Sequence, residues 1–206
     1  MSSVTRGVGE RPAAIVLAGG ASRRFGEDKL AAELDGRPVL AHALDAVRGL
    51  ADPVVVVLAP DAPVPVAARG CTVARDPAAF GGPLAGIVAG LVALPAPWPD
   101  IAVVVGGDMP SLVPDVLALL VTVLAADPSL GAVTLAAEPA AILPMGVRPG
   151  LVLPAGAALI AADRRRLRDL LTVVPSVVVP EAIWRAIDPD GATLRDVDVP
   201  GDLGSG

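Results

Sequence analysis

Short runs of β-branched and aliphatic residues alternate along this chain with longer stretches in which apolar and polar positions repeat at helical spacing. Ala13-Ala14-Ile15-Val16-Leu17-Ala18 is continuously apolar and ends in Gly19-Gly20, and residues 54–58 and 101–105 repeat that form. A run apolar on both sides predicts a strand covered on both faces, because a strand with one wet face would alternate. Between these runs, residues 39–50 place Leu40, Ala43, Leu44 and Val47 on one side of a helix and His42, Asp45 and Arg48 on the other. Residues 72–74 predict a short strand that leads to Asp76, residues 83–94 a helix, and residues 114–126 a helix opened by Pro114. Such an alternation implies a doubly wound, mostly parallel α/β sheet in a single domain. The last third is less regular. Strands are expected at 131–136, 141–145, 176–179 and 193–197, with a helix over 157–171 whose middle is basic (Arg164, Arg165, Arg166, Arg168). Residues 1–11 and 204–206 read as flexible tails around a domain of residues 12–203.

Composition narrows the setting. With 53% apolar residues and a mean hydropathy of +0.66, a membrane segment has to be considered. The longest helical apolar run, 116–126, is closed by Asp115 and Asp127 and falls well short of the roughly 20 residues a span needs. No apolar leader precedes the first strand, and Cys71 is the only cysteine, so a reducing, cytoplasmic location is expected. A formal net charge of −6 argues against nucleic acid held on a broad basic surface. A small phosphorylated ligand needs only a few cations and amides, and remains open. Either a monomer or a homodimer is compatible with this surface.

In parallel sheets, ligands bind beyond the carboxyl ends of the strands. The loop in that position is Leu17-Ala18-Gly19-Gly20-Ala21-Ser22-Arg23-Arg24-Phe25-Gly26-Glu27-Asp28-Lys29. Gly19 and Gly20 permit a sharp turn and a close approach of backbone to ligand, and their amides with Ser22 can donate to phosphate oxygens. Arg23, Arg24 and Lys29 bring cations to the same place. The G-x-G-x-x-G dinucleotide fingerprint is absent, and Gly26 is followed by Glu27 rather than by the Lys of a Walker A loop. Beyond the strand at 101–105 stands Asp108, in Gly106-Gly107-Asp108-Met109-Pro110. By residue type alone it is either a carboxylate facing the nucleotide or a turn or helix-cap aspartate.

The loop resembles the L-A-G-G-x-S-R-R-φ-G-x-D-K signature (φ, apolar) of the molybdenum cofactor guanylyltransferases, the MobA-type enzymes of the nucleoside-triphosphate transferase fold. Phe25 stands where that family commonly has Met. Further motifs follow in the family's order. Asp76 precedes Gly82-Pro83-Leu84-Ala85-Gly86, which is similar to G-P-L-A-G. Gly107-Asp108-Met109-Pro110 is similar to C-D-M-P, with Gly107 for the Cys. Asp196-Val197-Asp198-Val199-Pro200-Gly201-Asp202-Leu203 is similar to N-I-N-T-P-E-D-L. The likeness runs from about residue 13 to residue 203. Two departures lie on the acceptor side: Leu58-Ala59-Pro60 lacks an Asn, and residues 139–145 lack a Gln.

The resemblance implies a Rossmann-like nucleotidyltransferase fold and Mg2+-dependent transfer of GMP from GTP to a phosphorylated pterin, molybdopterin, with release of pyrophosphate. Leu17, Ala18, Gly19, Gly20, Ser22, Arg23, Lys29, Asp76, Gly82, Pro83, Leu84 and Asp108 would then bind the nucleotide. Asp108 and Asp198 would bind the metal. Lys29 would neutralise the α-phosphate and Arg24 would hold the departing pyrophosphate, so that Arg24, Lys29 and Asp108 carry the catalysis. In this family L-A-G-G goes with guanine, while related cytidylyltransferases more often read L-A-A-G. A CTP-dependent or other-acceptor enzyme of the same fold, and a non-catalytic nucleotide-binding regulator, are the competing readings. His42 is read as a solvated helix residue, Cys71 as a buried thiol, Trp98 and Trp184 as packing residues, and the Arg164–Arg168 cluster as an exposed helix face.

Overall fold

The computed structural model describes residues 11–19, 29–76 and 81–197. In chain order its elements are β1 (Ala13–Ala18), β2 (Glu33–Leu34), β3 (Arg37–Pro38), α1 (Val39–Arg48), β4 (Val54–Leu58), β5 (Thr72–Arg75), α2 (Pro83–Val92), β6 (Ala102–Gly106), α3 (Pro114–Ala126), β7 (Ala132–Leu135), β8 (Met145–Val147), α4 (Pro149–Ala161), α5 (Leu167–Leu170), β9 (Ser176–Val179) and α6 (Glu181–Trp184). Seven strands form one sheet in the order β5-β4-β1-β6-β8-β7-β9. All neighbours run parallel except β8, which is antiparallel to both β6 and β7. The expected mostly parallel α/β sheet is therefore observed.

Both faces of the sheet are covered, as the apolar runs require. Ala14, Val16, Val56, Val103 and Val105 pack with α1 and α3, whereas Ile15, Val55, Val57, Ala102 and Val104 pack with α2 and α4. Successive residues of one strand thus feed two separate cores, the consequence of the period-2 alternation of side chains. Helix α2 lies very close to the sheet. A Cβ built on Gly90 would stand 2.6 Å from Ile15 Cγ2 and 3.1 Å from Val57 Cγ2, and one on Gly86 would stand 3.2 Å from Leu17 Cδ2. Pro83 occupies the first turn of α2, where an amide would lack a partner anyway.

Several boundaries differ from the sequence expectation for identifiable reasons. The small hairpin β2–β3 turns on Asp35 (φ 51°) and Gly36 (φ 73°). Two consecutive left-handed residues are the requirement of a two-residue Asp-Gly hairpin turn. The ladder expected at 141–145 begins only at Met145, since Pro139 and Pro144 have no amide to donate. The helix expected over 157–171 is instead α4, which begins at Pro149. The amides of Ala162, Asp163 and Arg164 bond back to its last turn, and Asp163 adopts φ 57° before α5 starts. Arg164 and Arg165, on the exposed turn between α4 and α5, pair with Asp169 of α5 and with Asp163. Of the expected tails, Arg11 is ordered by donating to the carbonyls of Arg48, Gly49 and Leu50; residues 1–10 and 204–206 lie outside the described residues. Among the described residues no helix is long and apolar enough to cross a membrane.

The strand expected at 193–197 is replaced by a 3-10 turn, Ala192–Leu194, followed by irregular chain. Its cause is Asp188, whose carboxylate accepts the amides of Ala192 (3.0 Å) and Thr193 (2.8 Å), while Gly191 supplies φ 64°. Thr193 Oγ1 in turn accepts the amide of Val113 at 3.0 Å, tying this segment to the start of α3. Both polar side chains are buried, Thr193 fully and Asp188 to 4% exposure. Trp184, at the head of the same segment, is fully buried and donates its indole N–H to Ala136 O.

Two measurements bear on this framework. Gly90→Val should cost about 1–3 kcal/mol in chemical denaturation, because the new methyls overlap Ile15 and Val57. Burial opposes ionisation of Asp188. The amides of Thr193 and Ala192, the Thr193 hydroxyl and the Arg185 guanidinium prevail, however, and hold its carboxyl below the usual carboxylate range. A depressed folded value stabilises the fold fully above the unfolded pKa of about 4 and loses that stabilisation as pH falls through the folded value. Asp188→Asn should therefore cost about 1–3 kcal/mol at neutral pH, with the gap to wild type closing as the pH is taken below about 4.

Candidate functional site

The strand order reverses between β1 and β6: from β1 the chain winds to β4 and β5 on one side and to β6 on the other. At such a switch point the loops leaving the two strands diverge to opposite faces and open a crevice at their carboxyl ends. Leu17 pairs with Gly106 in the ladder, and the Gly107 amide then donates to Leu17 O at 2.9 Å. The two loops that carry the predicted site residues therefore start side by side.

Across this crevice Lys29 Nζ lies 2.7 Å from Asp108 Oδ2, with side-chain exposures of 15% and 31%. Lys29 is the only lysine in the sequence; every other cationic side chain apart from His42 is arginine. Its approach is set by α1, whose first amides would otherwise lack partners. Val39 N donates to Ala32 O and Leu40 N to Leu30 O, which anchors the segment just after Lys29 on the helix start. His42 Nε2 lies 2.9 Å from Leu34 O, so this residue clasps the β2–β3 hairpin instead of standing free in solvent.

Asp108 is held in a tight bend. It caps no helix: α3 starts at Pro114 after Val113, without a side-chain cap. Its Oδ1 folds back over Gly106, where a Cβ would collide with it, and a Cβ at Gly106 would also stand 3.2 Å from Met109 Cγ. Gly106 is thus a site residue that sequence reading missed; glycines directly before an acidic residue at a strand end were the available signal. The Asp108 carbonyl accepts the amide of Val197 at 2.9 Å, which brings the C-terminal segment to the same loop.

The other predicted residues divide into three groups. Leu17 and Ala18 belong to β1, and their side chains pack inward, as does that of fully buried Leu84, so these positions could offer a ligand only backbone. Gly19 passes directly over the end of β4, where a Cβ would lie 3.1 Å from Ala59 N. Asp76 follows β5, with its amide donating to Leu58 O at 2.9 Å. Gly82, at φ 87°, turns the chain into Pro83 and α2. Beside Asp76 and Gly81 opens a cleft of about 690 Å3, walled by Ala85, Val88 and Ile160 and rimmed by Arg75 and Arg165. Gly20, Ser22, Arg23, Arg24 and Asp198 lie outside the described residues. Cys71 is only partly buried and precedes its strand, where Arg48 donates to its sulfur at 3.5 Å. Trp184 packs as expected, whereas Trp98 is 43% exposed.

Among the described residues no cluster of three or more His, Cys, Asp or Glu side chains could cage a metal ion. A single carboxylate at the mouth of a crevice fits a hard cation that keeps waters and phosphate oxygens as its other ligands, the habit of Mg2+ rather than of zinc.

The profile of the MobA-like NTP transferase domain matches residues 14–177. The probable molybdenum cofactor guanylyltransferase of Chloroflexus aggregans is 31% identical over 201 residues, covering 92% of this chain and 90% of that protein. The protein of the same description from Pyrococcus horikoshii is 39% identical over 104 residues, and the match spans half the length of each. Among solved structures, molybdopterin-guanine dinucleotide biosynthesis protein A from Archaeoglobus fulgidus superposes with a TM-score of 0.76 over 93% of this chain and 95% of that one, at 21% identity. A profile matching most of the chain, a relative alike over nearly its whole length and a shared fold agree: this chain belongs to the MobA-like NTP transferase family of nucleotidyltransferases.

Proposed function

We propose that this protein transfers GMP from GTP, with Mg2+, to a phosphorylated small molecule, with molybdopterin the favoured acceptor. The observation that carries this reading is the Lys29–Asp108 pair at the strand-order reversal, 2.7 Å apart at the carboxyl ends of β1 and β6. Attack of an acceptor phosphate oxygen on the α-phosphorus forms one P–O bond and breaks the bond to the β-phosphate, releasing pyrophosphate. Two anions must meet, so positioning and neutralisation of charge dominate the catalysis. A Mg2+ ion would be held by Asp108, with Asp198 as the second candidate ligand, and when bound it supplies charge neutralisation on the phosphates. Lys29 brings a compact, strongly localised positive charge to the α-phosphate, and Arg24 is assigned to the pyrophosphate. Gly19 and Gly20 admit the nucleotide backbone-first, with Ser22 and Arg23 on the phosphates, and Asp76, Gly82 and Pro83 line the nucleotide's side of the crevice.

The names of the Chloroflexus and Pyrococcus relatives support the guanylyl and molybdenum cofactor parts of this reading. The Leu17-Ala18-Gly19-Gly20 turn supports guanine over cytosine.

The direct test is calorimetric titration with the four ribonucleoside triphosphates, with and without Mg2+. Magnesium-dependent binding of GTP above the others is expected; CTP in that place would reassign the base, and no binding at all would sink the nucleotidyltransferase reading. Asp108→Asn should lower kcat at least about 100-fold while leaving measurable metal-free nucleotide affinity. Lys29→Arg should fail nearly as badly as Lys29→Met in turnover, since a planar fork does not replace a compact point charge seated 2.7 Å from Asp108. Near-wild-type turnover by Lys29→Arg would remove the α-phosphate role.

A further inference from the structure

The Lys29–Asp108 pair is built over the first turn of α1, which is a common reference for both residues. On one side, Leu40 N donates to Leu30 O at 3.2 Å and Val39 N to Ala32 O at 2.9 Å, so the stretch after Lys29 takes amides that a helix start leaves open. On the other, a Cβ on Gly107 would stand 3.1 Å from Leu40 Cδ1 and 3.4 Å from Leu30 Cδ2. The residue after Lys29 and the residue before Asp108 therefore meet at one side chain of α1. A third carbonyl continues the series: after Leu30 and Ala32, Leu34 O lies 2.9 Å from His42 Nε2. A carbonyl can only accept, so Nε2 carries the proton in this contact.

Magnitudes single out His42 among the ties on this segment. The hairpin β2–β3 pairs only two residues on each strand, and a two-stranded hairpin is marginal at best on its own. Glu33 and residues 35–38 are exposed, so packing does little to hold it. Arg37 pairs with Asp45 of α1, but side-chain exposures of 51% and 49% place that pair in solvent, where it contributes little. The bond from His42 is partly buried and grips the backbone itself.

We propose that His42 is a positioning residue for Lys29. By clasping Leu34 it keeps the 29–38 segment seated on α1, and so holds the Lys29 ammonium at Asp108 in the geometry that transfer of a phosphoryl group requires. The catalytic half of this inference rests on the role given to Lys29 above; the positional half does not. His42 acts through the backbone it holds.

The test exploits a chain with a single lysine. The full chain, free of nucleotide, is treated with a limiting amine-specific acetylating ester, and modification of Lys29 is followed by mass spectrometry with the α-amino group as internal reference. Seated 2.7 Å from Asp108 and only 15% exposed, the ammonium is shielded, and loosening its segment raises the rate. His42→Phe and His42→Leu, which keep bulk but donate nothing, should each raise it roughly 3-fold to 10-fold, the range that one hydrogen bond commands. His42→Gln, whose terminal amide can reach the same carbonyl, should return the rate to that of wild type. Asp45→Asn and Gly90→Val should leave it unchanged, the second while lowering the melting temperature. A wild-type rate in either folded apolar variant overturns the proposal, and so does an equal rise in Asp45→Asn or Gly90→Val. Turnover reads the catalytic half: with molybdopterin as acceptor, His42→Phe should lower kcat by a similar factor and leave the KM for GTP unchanged, and a wild-type kcat overturns that half. If wild-type protein transfers no GMP to molybdopterin, the functional reading fails, and the acetylation rates still decide whether His42 positions Lys29.

Discussion

Strand β1 is the constraint from which the rest of the structure follows. It is hydrogen-bonded on both edges, to β4 and β6, and covered on both faces, by two cores that do not mix. Ala13, Ala14, Ile15 and Val16 are completely buried, so the strand can be neither shifted by one residue nor exposed at an edge without losing both cores. The one direction left open to the chain is out of its carboxyl end, and that end faces the strand-order reversal between β1 and β6. That a loop leaves the sheet at this position is thus a consequence of topology as much as of residue type.

Charge is distributed with the same economy. The chain is acidic overall, and several arginines among the described residues are engaged by backbone carbonyls: Arg11 on the end of α1, Arg48 and Arg75 on neighbouring loops, Arg148 beneath α3. Lys29 differs in kind and in place. It is largely buried, it is opposed by a carboxylate at 2.7 Å, and it stands at the carboxyl ends of β1 and β6. An ammonium and a carboxylate held together in this way form a local dipole, the feature on which the functional proposal rests.

The far end of the molecule contributes by closure rather than by chemistry. Beyond β6 the sheet departs from the simple doubly wound plan, with β8 inserted antiparallel and β9 on the outer edge. That excursion carries the chain away from the crevice and then returns it through α6 and the Asp188–Thr193 turn to Asp108. The buried Trp184 makes this return rigid, since both its ring and its indole N–H are satisfied inside the core.

What the sequence determined by itself is whatever depends on local pattern. Uninterrupted apolar runs gave away the buried parallel strands, helical spacing and an opening proline gave α3 to the residue, and the spaced motifs from Leu17 to Lys29 and at Asp108 carried the family. These signals survive in one dimension because each reflects a periodicity or a residue type that a few neighbours impose. Tertiary structure alone decided the pairing of Lys29 with Asp108, the need for Gly106 to be a glycine beneath that carboxylate, and the fate of residues 193–197. The last is a strand by its composition, but a buried carboxylate upstream takes the amides of Ala192 and Thr193 and turns the chain before any ladder forms. The helix expected through the arginine cluster is split into the end of α4 and the short α5, because the left-handed residue Asp163 interrupts it. Contacts between residues 79 or 80 positions apart leave no local trace, and in this protein they bring Lys29 to Asp108 and Thr193 to Val113.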